Sequence, residues 1–378
     1  MKILFVIDQF RHSKNGTTAS ASRMLRSLQS RGHQVRVVCG DDPGEEYAVP
    51  TGIKRYPFLY QLCKRQGMFL AHPDDAVLER EIRRSDLVHF MLPFELSRRG
   101  KRIADALEKP STAAFHLQPE NITSTLRLGK VEAVNELLYR TYRRFYDRFT
   151  HVHCPSKMIR SNLLRRGYRA QLHVISNGVA EEFRPRQTKK PARFAGRKLV
   201  LMVGRLSREK RQDVLIDAVA RSRHETSIQL VLAGQGPMQG KLARRGEQLT
   251  HRPEIGFFNK DALIDLMNVC ELYVHASDVE IEAIACLEAM ACGLVPIISD
   301  SKKSATGQFA LSEANRFTSG DPRSLARQID RLLEDGSLRK QLSRHYLRYA
   351  DWFSLQKSVD GLEAMFKQAC DDHGARRP

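Results

Sequence analysis

Short apolar runs rich in Val, Ile and Leu alternate along this chain with longer stretches whose apolar positions recur every three to four residues. The first pattern predicts buried strands and the second amphipathic helices. Strands are expected at Ile3–Ile7, Gln34–Cys39, Asp86–Leu92, Ser111–Phe115, His151–Cys154 and Leu172–Ser176, with a helix over Thr17–Arg31. The rhythm breaks at Glu181–Lys198, which is polar, basic and proline-containing and reads as a linker. It then restarts. Strands at Leu199–Val203, Ile228–Ala233, Leu272–His275 and Leu294–Ile298 alternate with helices near Arg211–Ala220, Asp261–Asn268, Ile281–Ala291 and Arg323–Glu334. A last amphipathic helix covers Phe353–Ala369. Strand–helix–strand order of this kind builds a parallel sheet with helices on both faces. Two such runs predict an α/β protein of two tandem Rossmann-like domains facing a central cleft. The expected division is a first domain over residues 1–180, a linker over 181–198, a second domain over 199–350, and a C-terminal helix over 351–378 returning toward the first domain.

The length of 378 residues suits two domains of ordinary size. No run approaches the ~18 apolar residues that span a bilayer. The opening MKILFVIDQF carries Asp8 after a short apolar run, so it reads as a strand rather than a secretion signal. The seven cysteines form no C-x-x-C pair, which argues against a disulfide framework or structural zinc and for a reducing, cytoplasmic setting. Charge is the outlier at +19, and residues 1–180 hold most of it, with 30 basic and 17 acidic side chains. A basic first half points to a nucleic acid, an anionic membrane or another polyanion as partner.

Ligands of parallel sheets bind beyond the carboxyl ends of the strands, so the residues just after each strand carry the chemistry. Leu199–Val203 delivers Gly204 and Arg205, with Lys210 close behind. A planar guanidinium and an ammonium there suit a pyrophosphate; the plainer reading is a basic surface turn. In His275–Gly293 a strand runs into an almost wholly apolar helix whose only charges are Glu282, in its expected first turn, and Glu288, two turns in. An unpaired buried carboxylate costs several kcal/mol, so Glu288 needs a partner, either a vicinal diol such as ribose or a neighbouring cation. Glu280, eight residues earlier, would lie roughly 12 Å away along a helix axis, the span from a ribose to a sugar across a pyrophosphate. His116 follows a strand of the first domain, where an imidazole can donate, accept or shuttle a proton, although a lone histidine is more often structural. Gly16 lies in the loop after the first strand.

The stretches Val174-Ile-Ser-Asn-Gly-Val179, Val203-Gly-Arg-Leu-Ser-Arg-Glu-Lys210, Leu232-Ala-Gly-Gln-Gly-Pro237 and Glu280 through Glu288-Ala-Met-Ala-Cys-Gly293 occur in this order. With them the chain resembles the retaining, nucleotide-sugar-dependent glycosyltransferases of family four, which have the GT-B architecture. The resemblance implies that Arg205 and Lys210 neutralise the diphosphate leaving group and that Glu280 contacts the transferred sugar. It implies that the amides of Glu282, Ala283 and Ile284 line the sugar and phosphates, that Glu288 holds the ribose, and that His116 sits between donor sugar and acceptor. Gly16 would let the first loop approach the phosphates, and Phe257 or Phe258 would lie near the base. The resemblance implies a nucleotide sugar as substrate, with UDP-glucose the leading choice; the sequence offers no convincing aspartate pair for a metal, Asp278-Val-Glu280 being the nearest, and a basic site makes a divalent ion unnecessary, so neither metal nor other cofactor is expected. The sequence departs from the family where Thr17 follows Gly16, where Ile281-Glu282-Ala283 replaces a Gly-Phe-Gly, and where Asp300–Gly307 brings Lys302 and Lys303.

Over Glu136–Phe149, Leu138, Tyr142, Phe145 and Phe149 fall on one helical face, and Arg140, Arg143, Arg144 and Arg148 on the other. Such a helix suits the plane of an anionic membrane, or else a core face with a solvated basic back. The reading that follows is a hexosyltransferase peripheral on the inner face of the cell membrane, acting on a lipid acceptor such as diacylglycerol or a lipid-linked glycan. A soluble acceptor is the alternative. A non-enzymatic nucleic-acid or polyanion binder is the rival from another class, weakened because the aromatics lie on a helix rather than an open sheet. The Gly234-Gln-Gly236 loop only loosely resembles a dinucleotide fingerprint, and Pro237 opposes that reading.

Overall fold

A computed structural model describes residues 1–10, 16–42, 44–53, 69–125 and 131–375. In chain order its first half holds β1 (Lys2–Val6), α1 (Gly16–Ser30), β2 (Gln34–Cys39), β3 (Ala48–Pro50), α2 (Asp75–Arg84), β4 (Leu87–Phe90), α3 (Glu95–Ala106), β5 (Ser111–Ala114), α4 (Pro119–Thr125), α5 (Glu132–Tyr146), β6 (His151–Cys154), α6 (Lys157–Arg165) and β7 (Gln171–Val174). The second half holds β8 (Lys198–Val203), α7 (Gln212–Val219), β9 (Ile228–Ala233), α8 (Gln239–Arg245), β10 (Glu254–Gly256), α9 (Lys260–Val269), β11 (Leu272–His275), α10 (Ile284–Ala291), β12 (Pro296–Ser299), β13 (Arg316–Phe317), α11 (Pro322–Glu334) and α12 (Gly336–Ala350), and α13 (Leu355–Gly374) ends it. Two compact units result. One comprises Met1–Pro119, Val131–Gly178 and Leu355–Pro378; the other comprises Glu120–Lys130 and Val179–Ser354.

Each unit is a parallel α/β sheet. The first has the order β3-β2-β1-β4-β5-β6-β7 and the second β10-β9-β8-β11-β12-β13. The central strands are buried along their whole length, as in β4 (LVHF) and β9 (IQLVLA), because helices cover both faces. Side-chain caps fix several helix starts: Asp74 accepts from Val77, Ser156 from Ile159, and Asp321 from Arg323 ahead of Pro322. The short edge strands β3, β10 and β13 escape the apolar-run criterion because two or three residues carry no period.

The last helix belongs to the first unit. Glu363 of α13 pairs with Arg31 at 2.6 Å and His33 at 2.8 Å, and Phe366 packs edge-on against Phe5. The stretch 181–198 is not a loose tether. Phe183 and Phe194 are buried in the core of the second unit, Lys190 pairs with Glu271 at 2.9 Å, and Arg186 pairs with Asp265 at 2.7 Å. Its polar composition hid two aromatic anchors.

The in-plane membrane helix is corrected by α5. Tyr142 and Phe145, with Phe149 just beyond the helix, are buried inside the first unit. Phe115 stacks among Tyr139, Tyr142 and Tyr146, and Phe145 meets Phe149 with ring centres 5.1 Å apart. The face that lipid would need is already covered by protein. The arginines stay on the outer side, where Arg140 and Arg144 are exposed and Arg148 reaches Asp105 at 2.6 Å. No helix among the described residues is long and apolar enough to cross a membrane.

Phe145→Ala should therefore cost about 3–5 kcal/mol of stability through the cavity it leaves, read from denaturant unfolding, with binding to anionic vesicles little changed. Intact stability with lost vesicle binding would contradict the packing described.

Candidate active site

Strands β8 and β11 are neighbours, with Leu272 opposite Val200 and Tyr273 opposite Leu201. From β8 the chain proceeds to β9 on one side, and from β11 it proceeds to β12 on the other. This is the reversal point of the sheet, where the two departing loops diverge and leave a crevice. Gly204, Arg205 and Lys210 leave β8 there, and Glu280 and Glu282 leave β11. The loop after β9 clamps the first of these loops. Gly204 N–H donates to the Ala233 carbonyl at 3.0 Å, and Leu206 N–H donates to Gln235 at 3.0 Å. A Cβ on Gly234 would stand 2.0 Å from the Gly204 oxygen, so only glycine allows this approach. Gln212 Nε2 donates to the Arg205 carbonyl at 2.9 Å, which fixes the backbone that carries the guanidinium.

The loop after β11 is held from three directions. Asp278 N–H donates to Glu209 at 2.8 Å, and its carboxylate accepts from Arg211 and from Ser319 Oγ, each at 3.0 Å. Ser301 Oγ donates to the Asp278 carbonyl at 2.6 Å. Glu280 pairs through its backbone with Ser304, and Ala305 N–H donates to the Glu280 carbonyl at 2.9 Å. The helix expected from Ile281 starts only at Ile284. The chain at 280 is bonded to 303–305 instead, and Ala283 sits left-handed at φ 70°, which ends any helical path before it. Glu282 thus precedes the helix and is 1% exposed, while Glu288 is buried one turn inside it. Glu280 and Glu288 do not share a helix, so the axial spacing deduced from eight residues does not apply. Gly293 ends α10 at φ 79°, with Leu294 N–H bonded to Ala289 and Gly293 N–H to Met290.

Lys210 donates to Glu280 Oε1, and His275 Nε2 lies 3.0 Å from the same oxygen. Burial by itself would raise the Glu280 carboxyl, but the Lys210 ammonium and the His275 ring outweigh it and hold the group well below the usual carboxylate range. Burial also lowers the His275 ring, and Glu280 only partly offsets this. Tyr273 OH is 3.0 Å from His275 Nδ1, which extends the network into the sheet. The cation expected at the phosphates and the acid expected at the sugar thus form one unit. The sequence offered a signal for His275 and Tyr273 that its reading did not use: two polar groups, two residues apart, on one face of an apolar strand.

Phe257 and Phe258 follow β10 at the edge of the same sheet; Phe257 is 62% exposed and Phe258 packs on the core. In the first unit His116 follows β5 and is buried, its ring edge-on to His153 at 4.9 Å. Burial, then His153 and His89, push it well below the ordinary histidine range, so it is a neutral imidazole. Its Nε2 has no hydrogen-bond partner among the described residues. Gly16 opens α1, and a Cβ there would meet nothing within 4 Å, so the structure gives no steric reason for glycine. Residues 11–15 of that loop, like Cys63, lie outside the described residues. Among the described residues no group of three or more His, Cys, Asp or Glu side chains is arranged to hold a metal ion.

Lys210→Met should destabilise the second unit by about 3 kcal/mol, because it strands a buried carboxylate, and adding Glu280→Gln should restore most of that loss. Additive losses across this cycle in denaturant unfolding would contradict the coupling.

Two family models match, one after the other: "Glycosyltransferase Family 4" over residues 14–183 and "Glycosyl transferases group 1" over residues 183–346. The chain is 24% identical over 314 residues to an alpha-monoglucosyldiacylglycerol synthase of Streptococcus pneumoniae, covering 79% of this chain and 71% of that one. It is 26% identical over 308 residues to a GDP-mannose-dependent alpha-mannosyltransferase of Corynebacterium glutamicum, covering 79% and 72%. The solved structure of Anabaena HepE in complex with UDP and glucose superposes with a TM-score of 0.77, covering 97% of this chain and 100% of that one at 18% identity, a likeness of fold. With two Rossmann-like units, both halves matched and a polar site at the sheet reversal of the second, the chain belongs to glycosyltransferase family four and is a glycosyltransferase.

Proposed function

We propose that the enzyme moves a hexose, glucose in the first instance, from a UDP-sugar to a membrane-proximal lipid acceptor with retention of anomeric configuration. The observation that carries this reading is the grouping of Arg205, Lys210 and Glu280 at the reversal point of one sheet. As the bond from sugar to diphosphate breaks, negative charge grows on the departing oxygen and positive charge on the anomeric carbon. Arg205 and Lys210 stabilise the first, and the ionised Glu280 stabilises the second. An ammonium has three donors, and Lys210 commits one to Glu280 Oε1, so it can bridge carboxylate and phosphate together. Glu288 takes the ribose diol. The amides of Glu282, Ala283 and Ile284, ahead of and at the start of α10, line the phosphates. The neutral His116 suits a hydrogen bond to a sugar or acceptor hydroxyl rather than a standing positive charge. The diphosphate takes the acceptor proton on the face it leaves, which gives retention.

HepE is described with UDP and with UDP-glucose, and the streptococcal relative is named for a diacylglycerol glycolipid. The relatives named for GDP-mannose make that donor the first competitor to include. The exposed Arg140 and Arg144 of α5, with Arg143 and Arg148 beside them, suit an anionic headgroup layer on the inner face of the cell membrane without insertion of the helix.

A donor-hydrolysis panel with and without anionic vesicles tests donor and acceptor together. Glu288→Ala and Arg205→Ala should raise the donor KM, while Glu280→Ala and His116→Ala should lower kcat by roughly 10²-fold. Wild-type kinetics in all four variants, or an inverted product anomer, would refute the assignment.

A further inference from the structure

Glu280 uses its two oxygens unequally. Lys210 and His275 both reach Oε1, and among the described residues no donor engages Oε2. Behind His275 the hydrogen bonds have a direction. A carboxylate oxygen can only accept, so the neutral His275 ring donates from Nε2 to Glu280 Oε1, and its Nδ1 accepts from the Tyr273 hydroxyl, 3.0 Å away. An Nδ1 that accepts leaves the ring hydrogen on Nε2, where it faces Glu280 Oε1 at 3.0 Å. His275 is 1% exposed and Tyr273 fully buried, so no solvent competes for these bonds.

We propose that Tyr273 and His275 are positioning residues: a buried relay that anchors Oε1 of Glu280 and so presents Oε2 to a hydroxyl of the transferred sugar. This rests on the reading of Glu280 as the carboxylate that meets that sugar. The relay acts through orientation. Neither residue needs to touch substrate, and no proton has to move along it. Its defining property is the histidine tautomer. Without the tyrosine hydroxyl, the ring can carry its hydrogen on Nδ1 and turn a lone pair toward Oε1, which repels the carboxylate it should hold. The charged or titratable groups that face this pair are Glu280 and Lys210 around His275, and Glu280, Glu288 and Cys286 around Tyr273.

The test uses the full-length enzyme with the donor it hydrolyses fastest. Tyr273→Phe should lower kcat about tenfold at pH 8, the worth of one net hydrogen bond, with donor KM within twofold of wild type. The defect should shrink as pH falls, because a second proton on the imidazole restores the Nε2–H that the wrong tautomer lost. A change in packing alone would not show that recovery. His275→Gln, which keeps an N–H near the Nε2 position, should retain a third or more of wild-type kcat, and His275→Leu should fall to the level of Glu280→Ala. These two variants carry the test if Tyr273→Phe does not fold, as judged by its thermal transition. Equal kcat in His275→Gln and His275→Leu, or a pH-independent defect in Tyr273→Phe, would overturn the relay. If Glu280→Ala loses turnover while Tyr273→Phe and His275→Leu do not, the relay alone falls. If Glu280→Ala itself turns over normally, the assigned role of Glu280 falls with it.

Discussion

A carboxylate taken out of water must be repaid at close range or it will take up a proton. Glu280 is such a group, and Lys210 with His275 supplies the repayment. The constraint reaches outward from this contact. Lys210 must come off β8 and Glu280 off β11, so those two strands must lie side by side with their chains turning opposite ways. The loop that carries Glu280 must hold still, and Arg211, Ser301, Ser319 and the backbone of 303–305 pin it through Asp278 and Glu280. The glycines after β9 let one loop lie against the next without a side chain between them. An ion pair built this way is a poor source of stability but a good device for holding a charge in one place.

Under the proposed function the same arrangement would serve transfer chemistry. A nucleotide diphosphate sugar carries fixed negative charge at one end of its reacting bond and gains positive charge at the other as that bond breaks. A cation and an acid already in contact present both complements at the spacing of a single hydrogen bond. Because Glu280 stays ionised, it can accept from sugar hydroxyls but cannot serve as an acid. In the first unit, the His116 imidazole is held neutral by burial and offers a hydrogen-bonding atom without charge.

All strands but the short edge strands β3, β10 and β13 were legible because buried parallel strands read as continuous apolar runs, and β2, β6, β9 and β11 fall where those runs lie. Glycosyltransferase class was legible through the resemblance of four motifs to a known family, which sets Arg205, Lys210, Glu280 and Glu288 in the family's order; spacing alone left a basic surface turn and an ion pair as alternatives. The start of α10 was not. Ile281 continues the apolar period, and nothing local reveals that residue 280 bonds to a segment more than twenty positions away. The aromatic stripe of α5 misled for a related reason. A helix that faces a core and one that faces lipid have the same period, and only the neighbours Phe115 and Tyr168 distinguish them. Charged surroundings likewise hid Phe183 and Phe194 in a stretch that composition assigned to a linker.

The most direct measurement is a crystal structure of the enzyme with an intact, non-hydrolysable nucleotide diphosphate sugar. The account predicts a sugar hydroxyl within hydrogen-bond distance of Glu280 Oε2, the diphosphate within reach of Arg205 and Lys210, and Oε1 still bonded to His275. A nucleotide seated away from the carboxyl ends of β8 and β11, or a sugar that leaves Glu280 untouched, would contradict it.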